Sequence, residues 1–314
     1  MQGKLKAAGG INNRRSVIMR LIHSKELYLF CLPGIVLTLI FHYWPLYGVQ
    51  IAFRNFTFHR GIWGSEWVGL EHFARFFRSP HSLQIIWNTF ILSFYALLVS
   101  FPIPIIFALM LNSFRHKKYG KVIQSVACVP HFISVVVMAG MLMLFLSPRM
   151  GMLGWFFSTF SVEPVNLLGM SSAWRHVYVW SGVWQGMGWG AVVYIAALSG
   201  VSPELHEAAI VDGTNKLQRI IHIDLPSIMP VAVMLLILSA GTLFSIGFEK
   251  AFALQNPMNI SVSEIIPTYV YRMGIMNHDM SFAAAVGLFN SLVNAVLLVA
   301  VNFAARKLTG HGIW

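Results

Sequence analysis

Six apolar segments of spanning length divide this 314-residue chain, and they constrain its fold more than any other feature. A helix rises about 1.5 Å per residue, so about 20 residues cross the hydrocarbon core of a bilayer. Only 11% of the residues are charged, whereas soluble domains carry roughly 25%. The sequence therefore predicts an all-α integral membrane protein with six transmembrane helices, over residues 27–48, 88–113, 123–147, 177–199, 229–249 and 281–305.

The N-terminal region resembles a secretory signal peptide at first, because basic residues precede an apolar run. That run extends from Leu27 to Tyr47 and ends in bulky aromatic residues rather than small ones suited to cleavage. We interpret it as an uncleaved first transmembrane helix. The predicted organisation is a basic cytoplasmic N-terminal segment, a six-helix transmembrane domain and a short cytoplasmic C-terminal tail, over residues 1–26, 27–305 and 306–314.

The distribution of Lys and Arg predicts the orientation. With the N-terminus inside, cytoplasmic segments contain 14 of these residues and outer segments contain 8. The positive-inside rule therefore places both termini in the cytoplasm. The formal net charge of +11 does not indicate a nucleic-acid partner, because the basic residues lie between apolar spans rather than on one soluble face. The lipid bilayer is the expected environment.

The two cysteines show no metal or disulfide signature. Cys31 and Cys128 lie inside apolar stretches, without a CxxC pattern or a His-rich neighbourhood. We expect buried structural thiols and no metal site.

The connection between the fourth and fifth predicted helices, residues 200–228, has the most distinctive local pattern. Ser202 followed by Pro203 is typical of a helix start, since the hydroxyl caps a free N–H and proline needs none at the first position. Gly213 adopts positive φ at little steric cost and should end that helix.

A second short helix is predicted in the same loop. Asn215 is a suitable N-cap, and the helix is expected to run to about His222 and to end at Leu225-Pro226. The loop is therefore predicted to form a rigid helix-turn-helix across the cytoplasmic mouth.

The loop contains the string Glu207-Ala208-Ala209-x-x-Asp212-Gly213, followed by Ile223-x-Leu225-Pro226 and Pro230. This string resembles the EAA loop of permease subunits in binding-protein-dependent ABC importers. Thr214 stands where the family often has alanine, a change between small residues. Four other segments resemble the oligo- and polysaccharide branch of these permeases, beside the maltose-type permeases: residues 43–53, 130–134, 254–257 and 268–272.

The resemblance implies a type I ABC importer permease (MetI-like) fold with cytoplasmic EAA coupling helices. In such importers the loop inserts into a cleft of a cytoplasmic ATPase, where Glu207 would face a basic residue. The chain would then be a non-catalytic subunit without a cofactor, since ATP and Mg belong to the partner ATPase and no G-x-x-x-x-G-K-[ST] phosphate loop is present. The implied coupling residues are Glu207, Ala208, Ala209, Asp212, Gly213, Leu225 and Pro226.

The resemblance also implies a location and partners. The chain would be a multi-pass protein of the bacterial cytoplasmic (inner) membrane and would form half of a translocation path for an oligosaccharide or polysaccharide. The other half would come from a second homologous permease subunit of different sequence, in a heterodimer. Two ATPase subunits and an extracytoplasmic sugar-binding protein would complete the system. The sequence does not identify the saccharide, and acidic ones such as alginate belong to the candidates.

Four residues are candidates for the substrate path. Sugar rings stack their C–H faces on aromatic side chains, and amides or hydroxyls match sugar hydroxyls. By spacing from the loop, Gln185, Trp189 and Ser239 fall at positions comparable with those lining the cavity of maltose-type permeases, although only Ser239 keeps the residue type found there. Trp184 lies beside them.

Gly182, Gly186 and Gly190 recur every four residues, which indicates a smooth helix face for tight packing. The functional alternative is that this face approaches the translocation path. Polar residues within the spans are expected to form interhelical hydrogen bonds rather than to line the path: Asn88, Gln124, His131, Asn290 and Asn294. For Glu249 and Lys250 at the outer end of the fifth helix, the functional alternative is contact with a binding protein or substrate. An adjacent exposed ion pair contributes little, and the structural interpretation is an interfacial anchor.

Two other functional classes are considered. A membrane-embedded enzyme of lipid or glycan metabolism needs a catalytic constellation, but His72 with Glu71 and His206 with Glu207 lack a third member. An ABC exporter or a secondary transporter predicts inverted repeats or intramembrane coupling acids. No Asp or Glu lies near the centre of a predicted span.

Overall fold

The apolar segments fold into helices, because a helix satisfies every backbone polar group within one segment. The computed structural model describes residues 25–114, 116–160, 163–310 and 312–313, so the predicted N-terminal segment lies outside the described residues up to residue 24. The only paired strands among the described residues are β1 (Arg54–Asn55) and β2 (Glu66–Trp67), which are antiparallel.

Sixteen α-helices are present in the described ranges. The first eight are α1 (Lys25–Thr38), α2 (Gly61–Gly64), α3 (Glu71–Arg78), α4 (Ser82–Ser100), α5 (Pro102–Asn112), α6 (Lys117–Cys128), α7 (Val135–Phe145) and α8 (Met152–Thr159). The others are α9 (Ser171–Leu198), α10 (Pro203–Val211), α11 (Lys216–Arg219), α12 (Leu225–Gly241), α13 (Phe248–Leu254), α14 (Ile260–Ser263), α15 (Ile266–Tyr271) and α16 (Met280–Thr309).

Shorter turns of other helix types join several of these helices. The π-helical turns are Leu39–Tyr43, Ile220–Asp224 and Arg272–Met276. The 3-10 turns are Trp44–Phe53, Val129–Phe132 and Leu243–Ser245.

Four continuous helical stretches in the described chain are long and apolar enough to cross a membrane: Tyr28–Phe53, Ser82–Asn112, Lys216–Gly241 and Met280–Lys307. The pair α6 and α7 adds a fifth if it is counted as one span with a 95° bend. Helix α9 has 28 residues and contains the predicted fourth span, but it is not among them. Its glycines and tryptophans lower its mean hydropathy. The multi-span helical prediction is thus confirmed, whereas the count of six is not.

The bend between α6 and α7 follows from Pro130, which lacks an N–H and clashes with the preceding helical turn. A 3-10 turn replaces the α-helix at Val129–Phe132, and Ser134 starts α7 by accepting a hydrogen bond from Val137 N. The predicted third span at 123–147 is therefore broken. The 95° bend therefore falls at Pro130-His131.

The fifth predicted span, 229–249, has wrong boundaries. The helix through α11, the π turn and α12 begins at Lys216 and ends at Gly241. Glu249 and Lys250 belong to the separate helix α13 instead. The shift moves Lys250 away from the end of the span and into the protein.

Three groups of buried side chains hold the helices together. The first joins α4, α7, α9 and α13 and includes Trp174, Tyr178 and Leu254. The second joins α5, α9 and α12. The third joins α3, α4, α15 and α16 and includes Phe76 and Phe282. Helix α4 contributes to the first and third groups and α9 to the first and second, so these two helices connect the three groups.

The first span does not pack in this way. None of the residues in the apolar window of Tyr28–Phe53 is buried within the chain. Cys31 is exposed, so the prediction of a buried thiol is wrong there, whereas Cys128 is half-buried. This span therefore presents its apolar surface to lipid or to another chain.

The glycines of α9 differ in how closely they are packed. A Cβ on Gly188 would overlap the backbone of Ala127 and Cys128, whereas a Cβ on Gly186 would meet no atom within 4 Å. Gly190 lies against Pro104. The expected packing face is thus only partly correct: Gly188, outside the predicted stripe, makes the closest helix contact, and Gly186 borders open space.

We predict that Gly188→Ala destabilises the protein by about 1–3 kcal/mol, because the new methyl group forces α9 and α6 apart. Gly186→Ala is the matched control, since it adds the same methyl group to the same helix without a contact. Thermal unfolding of the purified variants in detergent measures the difference. Equal stability of the two variants would contradict the packing described for Gly188.

Candidate functional site

The loop 200–228 begins as its sequence predicts. The Ser202 hydroxyl accepts a hydrogen bond from Glu204 N at 3.3 Å, and Pro203 occupies the first turn of α10. Gly213 has φ of 76° and donates from its N–H to Ile210 O. The Thr214 hydroxyl closes the helix end by donating to Ala209 O at 2.6 Å. The predicted first helix is therefore confirmed, with its start and stop.

The second helix also starts as predicted but does not end there. Asn215 and Gln218 form a reciprocal capping box, in which each side chain accepts from the other residue's backbone N–H. The predicted end at Leu225-Pro226 is wrong, because the chain continues through the π turn into α12. In that wider turn Leu225 N bonds to Ile220 O, a geometry that accommodates Pro226 without a break.

The predicted coupling residues divide into two groups. Helix α10 has no buried residue, and Glu207, Ala208, Asp212 and Gly213 are exposed along it or at its end. Leu225 instead packs against the buried group shared by α5, α9 and α12. The exposed face also contains large apolar side chains, since Val211 is 87% exposed. Such a face is suited to contact with another protein.

A buried carboxylate connects α10 to the bundle. Asp224 is 4% exposed, and its Oδ1 lies 3.3 Å from His206 Nε2 and 3.4 Å from Asn112 Nδ2. Lys216 adds a second link by donating to Ser113 O at 3.3 Å. These groups line a cavity of about 500 Å³ between the loop and the ends of α5 and α9. No local sequence pattern indicates these contacts, because Asn112 and Asp224 are far apart in the chain.

The four predicted path residues lie on different surfaces. Gln185 donates to Ile133 O at 2.7 Å and so satisfies the broken backbone between α6 and α7. Trp189 is 52% exposed and stacks on His131, with ring centroids 4.7 Å apart. Trp184 is also exposed. Gln185, Trp189 and His131 thus form one polar and aromatic surface on α9 and the α6–α7 turn.

Ser239 lies elsewhere. It is exposed on α12 and lines a cavity of about 430 Å³ between α4, α5, α9 and α12, together with Gly190 and Tyr194. Its hydroxyl donates to Leu235 O in its own helix. The residues that line this cavity do not include Gln185 or Trp189.

The expectation for the other polar residues in the spans is confirmed at two of them. Asn88 donates to Ser261 O and Glu264 O and accepts from Arg175, which joins α4 to α9 and to the segment after α13. Asn294 on α16 accepts from Phe244 N and donates to the hydroxyl of Ser245.

The interpretation of Glu249 and Lys250 as an exposed ion pair is wrong. Lys250 is only 6% exposed and donates to the backbone oxygen of Tyr178 on α9. Its ammonium lies 4.6 Å from the centre of the Tyr178 ring. Gly182 leaves the space for it, since a Cβ there would lie 3.2 Å from Lys250 Nζ.

A second charged cluster lies in the connection between α14 and α16. Glu264 is paired with Arg272 at 2.6 Å, and Arg272 also donates to Gln255 Oε1. Burial raises the pKa of Glu264, and the positive charges of Arg272 and His81 offset part of that effect. The pair ties the two ends of this segment together.

Comparison with known proteins assigns the chain to a family. The sequence model of the family described as "Binding-protein-dependent transport system inner membrane component" matches residues 86–310. Because the match covers more than half of the chain, the protein belongs to this family. It is therefore a multi-pass inner-membrane permease component, a non-catalytic subunit whose ATPase is a separate protein.

Individual relatives are similar over nearly the whole chain. Protein LplB of Bacillus subtilis (strain 168) is 38% identical over 93% of this chain and 92% of its own length. The polygalacturonan/rhamnogalacturonan transport system permease protein YteP of the same strain is 38% identical, over 96% and 94%. A chain in the crystal structure of a bacterial alginate ABC transporter with an alginate pentasaccharide-bound periplasmic protein is 34% identical, with a TM-score of 0.86 and coverage of 94% and 99%.

The family assignment excludes the rival classes. His206 is paired with Asp224 rather than with Glu207, and the Ser113 hydroxyl near them donates to Met110 O, so no nucleophile is bonded to the imidazole. His72 Nε2 lies 3.1 Å from Arg54 O and is buried. These histidines are structural.

We predict that Asp224→Ala loosens α10 from the bundle. Loss of a buried hydrogen-bonded carboxylate costs about 1–3 kcal/mol, so backbone amides of α10 should exchange with deuterium roughly 5- to 100-fold faster. Glu204→Ala, on the same helix but exposed, is the control. Equal rates of hydrogen exchange for α10 in wild type and Asp224→Ala would contradict the proposal that Asp224 holds α10 against the bundle.

Proposed function

We propose that the chain forms half of the translocation path of an ATP-driven importer for an oligosaccharide or polysaccharide, and that loop 200–228 couples it to the ATPase. Family membership supports the importer, and relatives named for polygalacturonan and alginate support the saccharide. The observation that carries the coupling role is the geometry of α10. None of its residues is buried, yet its His206 is paired with the buried Asp224 of the bundle.

The proposed contact surface consists of Glu207, Ala208, Ala209, Asp212 and Gly213. The two alanines allow close approach of another backbone, and Glu207 is placed to pair with a basic residue of the ATPase. Leu225 and Pro226 act indirectly, because they continue the loop into α12. A push on α10 is then transmitted through Asp224 to α5 and α12 at the same time.

We further propose six transmembrane spans with both termini in the cytoplasm. Helix α9 is long enough to cross the bilayer, at about 42 Å for its 28 residues, and its less apolar faces suit a helix surrounded by protein. The bent α6–α7 pair is the remaining span. In this topology loop 200–228 is cytoplasmic. It then lies on the side of the membrane whose segments contain most of the Lys and Arg residues.

The path requires partners. The exposed first span and the exposed surface around Trp189 fit a second permease subunit of different sequence, so that two subunits enclose the saccharide. Two ATPase subunits and a sugar-binding protein complete the proposed assembly. The four path candidates lie on two surfaces of this subunit. In the proposed assembly, these surfaces face the path in different conformational states of the transporter: Gln185, Trp184 and Trp189 on one, and Ser239 on the other.

We predict that Glu207→Lys abolishes coupling between the permease and the ATPase. The substitution places a positive charge opposite the proposed basic residue of the ATPase, which should cost about 2–5 kcal/mol of docking free energy. The reconstituted complex should lose at least about 90% of saccharide-stimulated ATP hydrolysis. Glu163→Lys, an exposed residue far from the loop, makes the same charge change and should retain it. Full stimulation in Glu207→Lys would refute the docking surface.

We also predict that Trp189→Ala raises the KM for saccharide transport roughly tenfold, equivalent to about 1.4 kcal/mol of lost stacking, while basal ATP hydrolysis is unchanged. Trp155→Ala removes another exposed tryptophan, from α8, and serves as control. A KM that stays at the wild-type value in Trp189→Ala would remove this residue from the path.

A further inference from the structure

Within the part of the chain that the structure describes, Lys250 is a buried cation without a counter-charge. The three ion pairs among the described residues with N–O distances within 4.0 Å do not include it. Its recorded interactions are the hydrogen bond to Tyr178 O and the contact with the Tyr178 ring. An ammonium has three N–H donors and loses much hydration on burial, so an unpaired one is costly. Ionisable groups in such positions in membrane proteins commonly serve function.

The position of Lys250 relative to α9 suggests what that function is. Its Nζ lies against Gly182, and one turn along the helix Gly186 borders open space. Neither glycine has a side chain that would obstruct a movement of the ammonium along this face. Trp189 lies seven residues from Gly182, about 10 Å along the helix axis. The Lys250 ammonium from α13, the Gln185 amide and the ring stack of Trp189 on His131 therefore follow one another along α9.

We propose that Lys250 binds the carboxylate of an acidic saccharide, a uronate, within the translocation path. The proposal rests on the proposed function, because it places Lys250 beside the path residues Gln185 and Trp189. A carboxylate supplies the missing counter-charge. It also accepts hydrogen bonds from the ammonium N–H groups of Lys250 that do not bond to Tyr178 O. Tyr178 holds the ammonium in place while the path is empty. Lys250 thus selects acidic over neutral sugar units.

The test compares two probes with the same sugar units, one with free carboxylates and one in which methyl esters remove the charge. Trigalacturonate and its methyl ester are offered to the reconstituted complex with its binding protein, and the KM and maximal rate of transport are measured for each. Because the same binding protein delivers both probes to every variant, a change in the acid-to-ester ratio of kcat/KM reports on the permease alone.

Lys250→Met removes the charge and keeps much of the length of the side chain. It should lower the acid-to-ester ratio at least tenfold, chiefly through the KM for the acid, whereas Lys250→Arg should preserve the ratio. A ratio in Lys250→Met equal to that of the wild type would overturn the proposal. If neither probe is transported by the wild type, it is the proposed saccharide function that fails.

A second variant covers the case in which Lys250→Met does not fold. Gly182→Ala keeps the cation but places a methyl group 3.2 Å from Nζ, so the ammonium must shift. It should reduce the acid-to-ester ratio severalfold at normal basal ATP hydrolysis. Gly186→Ala adds the same methyl group one turn further along α9, where it meets no atom within 4 Å, and should leave the acid-to-ester ratio unchanged. An unchanged ratio in Gly182→Ala would count against the site.

Discussion

The need to satisfy backbone polar groups inside a membrane shapes this bundle more than any other constraint. The chain is broken at Pro130, after Gly241 and around Leu254, and at each break a side chain from a neighbouring helix supplies the missing partner. Gln185 donates to Ile133 O, Asn294 accepts from Phe244 N, and Trp174 donates to Leu254 O. The broken helices are thus held by α9 and α16, which remain continuous.

This constraint changes how polar residues in the spans are interpreted. A polar residue in an apolar segment can indicate either a path or a repair of the backbone, and the sequence does not distinguish the two. Gln185 illustrates the difficulty, since it bonds to the α6–α7 turn and also lies beside the exposed Trp189. Asn294 serves the backbone, and its amide is fully used by Phe244 and Ser245.

Local signals could be predicted from the sequence, whereas long-range ones could not. The start of α10 at Ser202-Pro203, its end at Gly213 and the break at Pro130 depend on neighbours in the chain, and all are present. The burial of Lys250 depends on α13 leaving the fifth span and folding against α9, which no local pattern indicates. The contact between Asp224 and Asn112 likewise connects residues more than 100 positions apart. Only the fold brings these groups together.

The central claim is that the exposed face of α10 docks on the ATPase, and cross-linking tests it most directly. In a variant with Cys31 and Cys128 replaced by serine, a single cysteine is introduced as Ala208→Cys, or as Glu66→Cys on β2 for comparison. A short reagent with one maleimide and one lysine-reactive ester is then added to the assembled complex. A cross-link is expected between position 208 and the ATPase, and none from position 66. A cross-link to the ATPase from position 66, with none from 208, would contradict both the docking surface and the orientation.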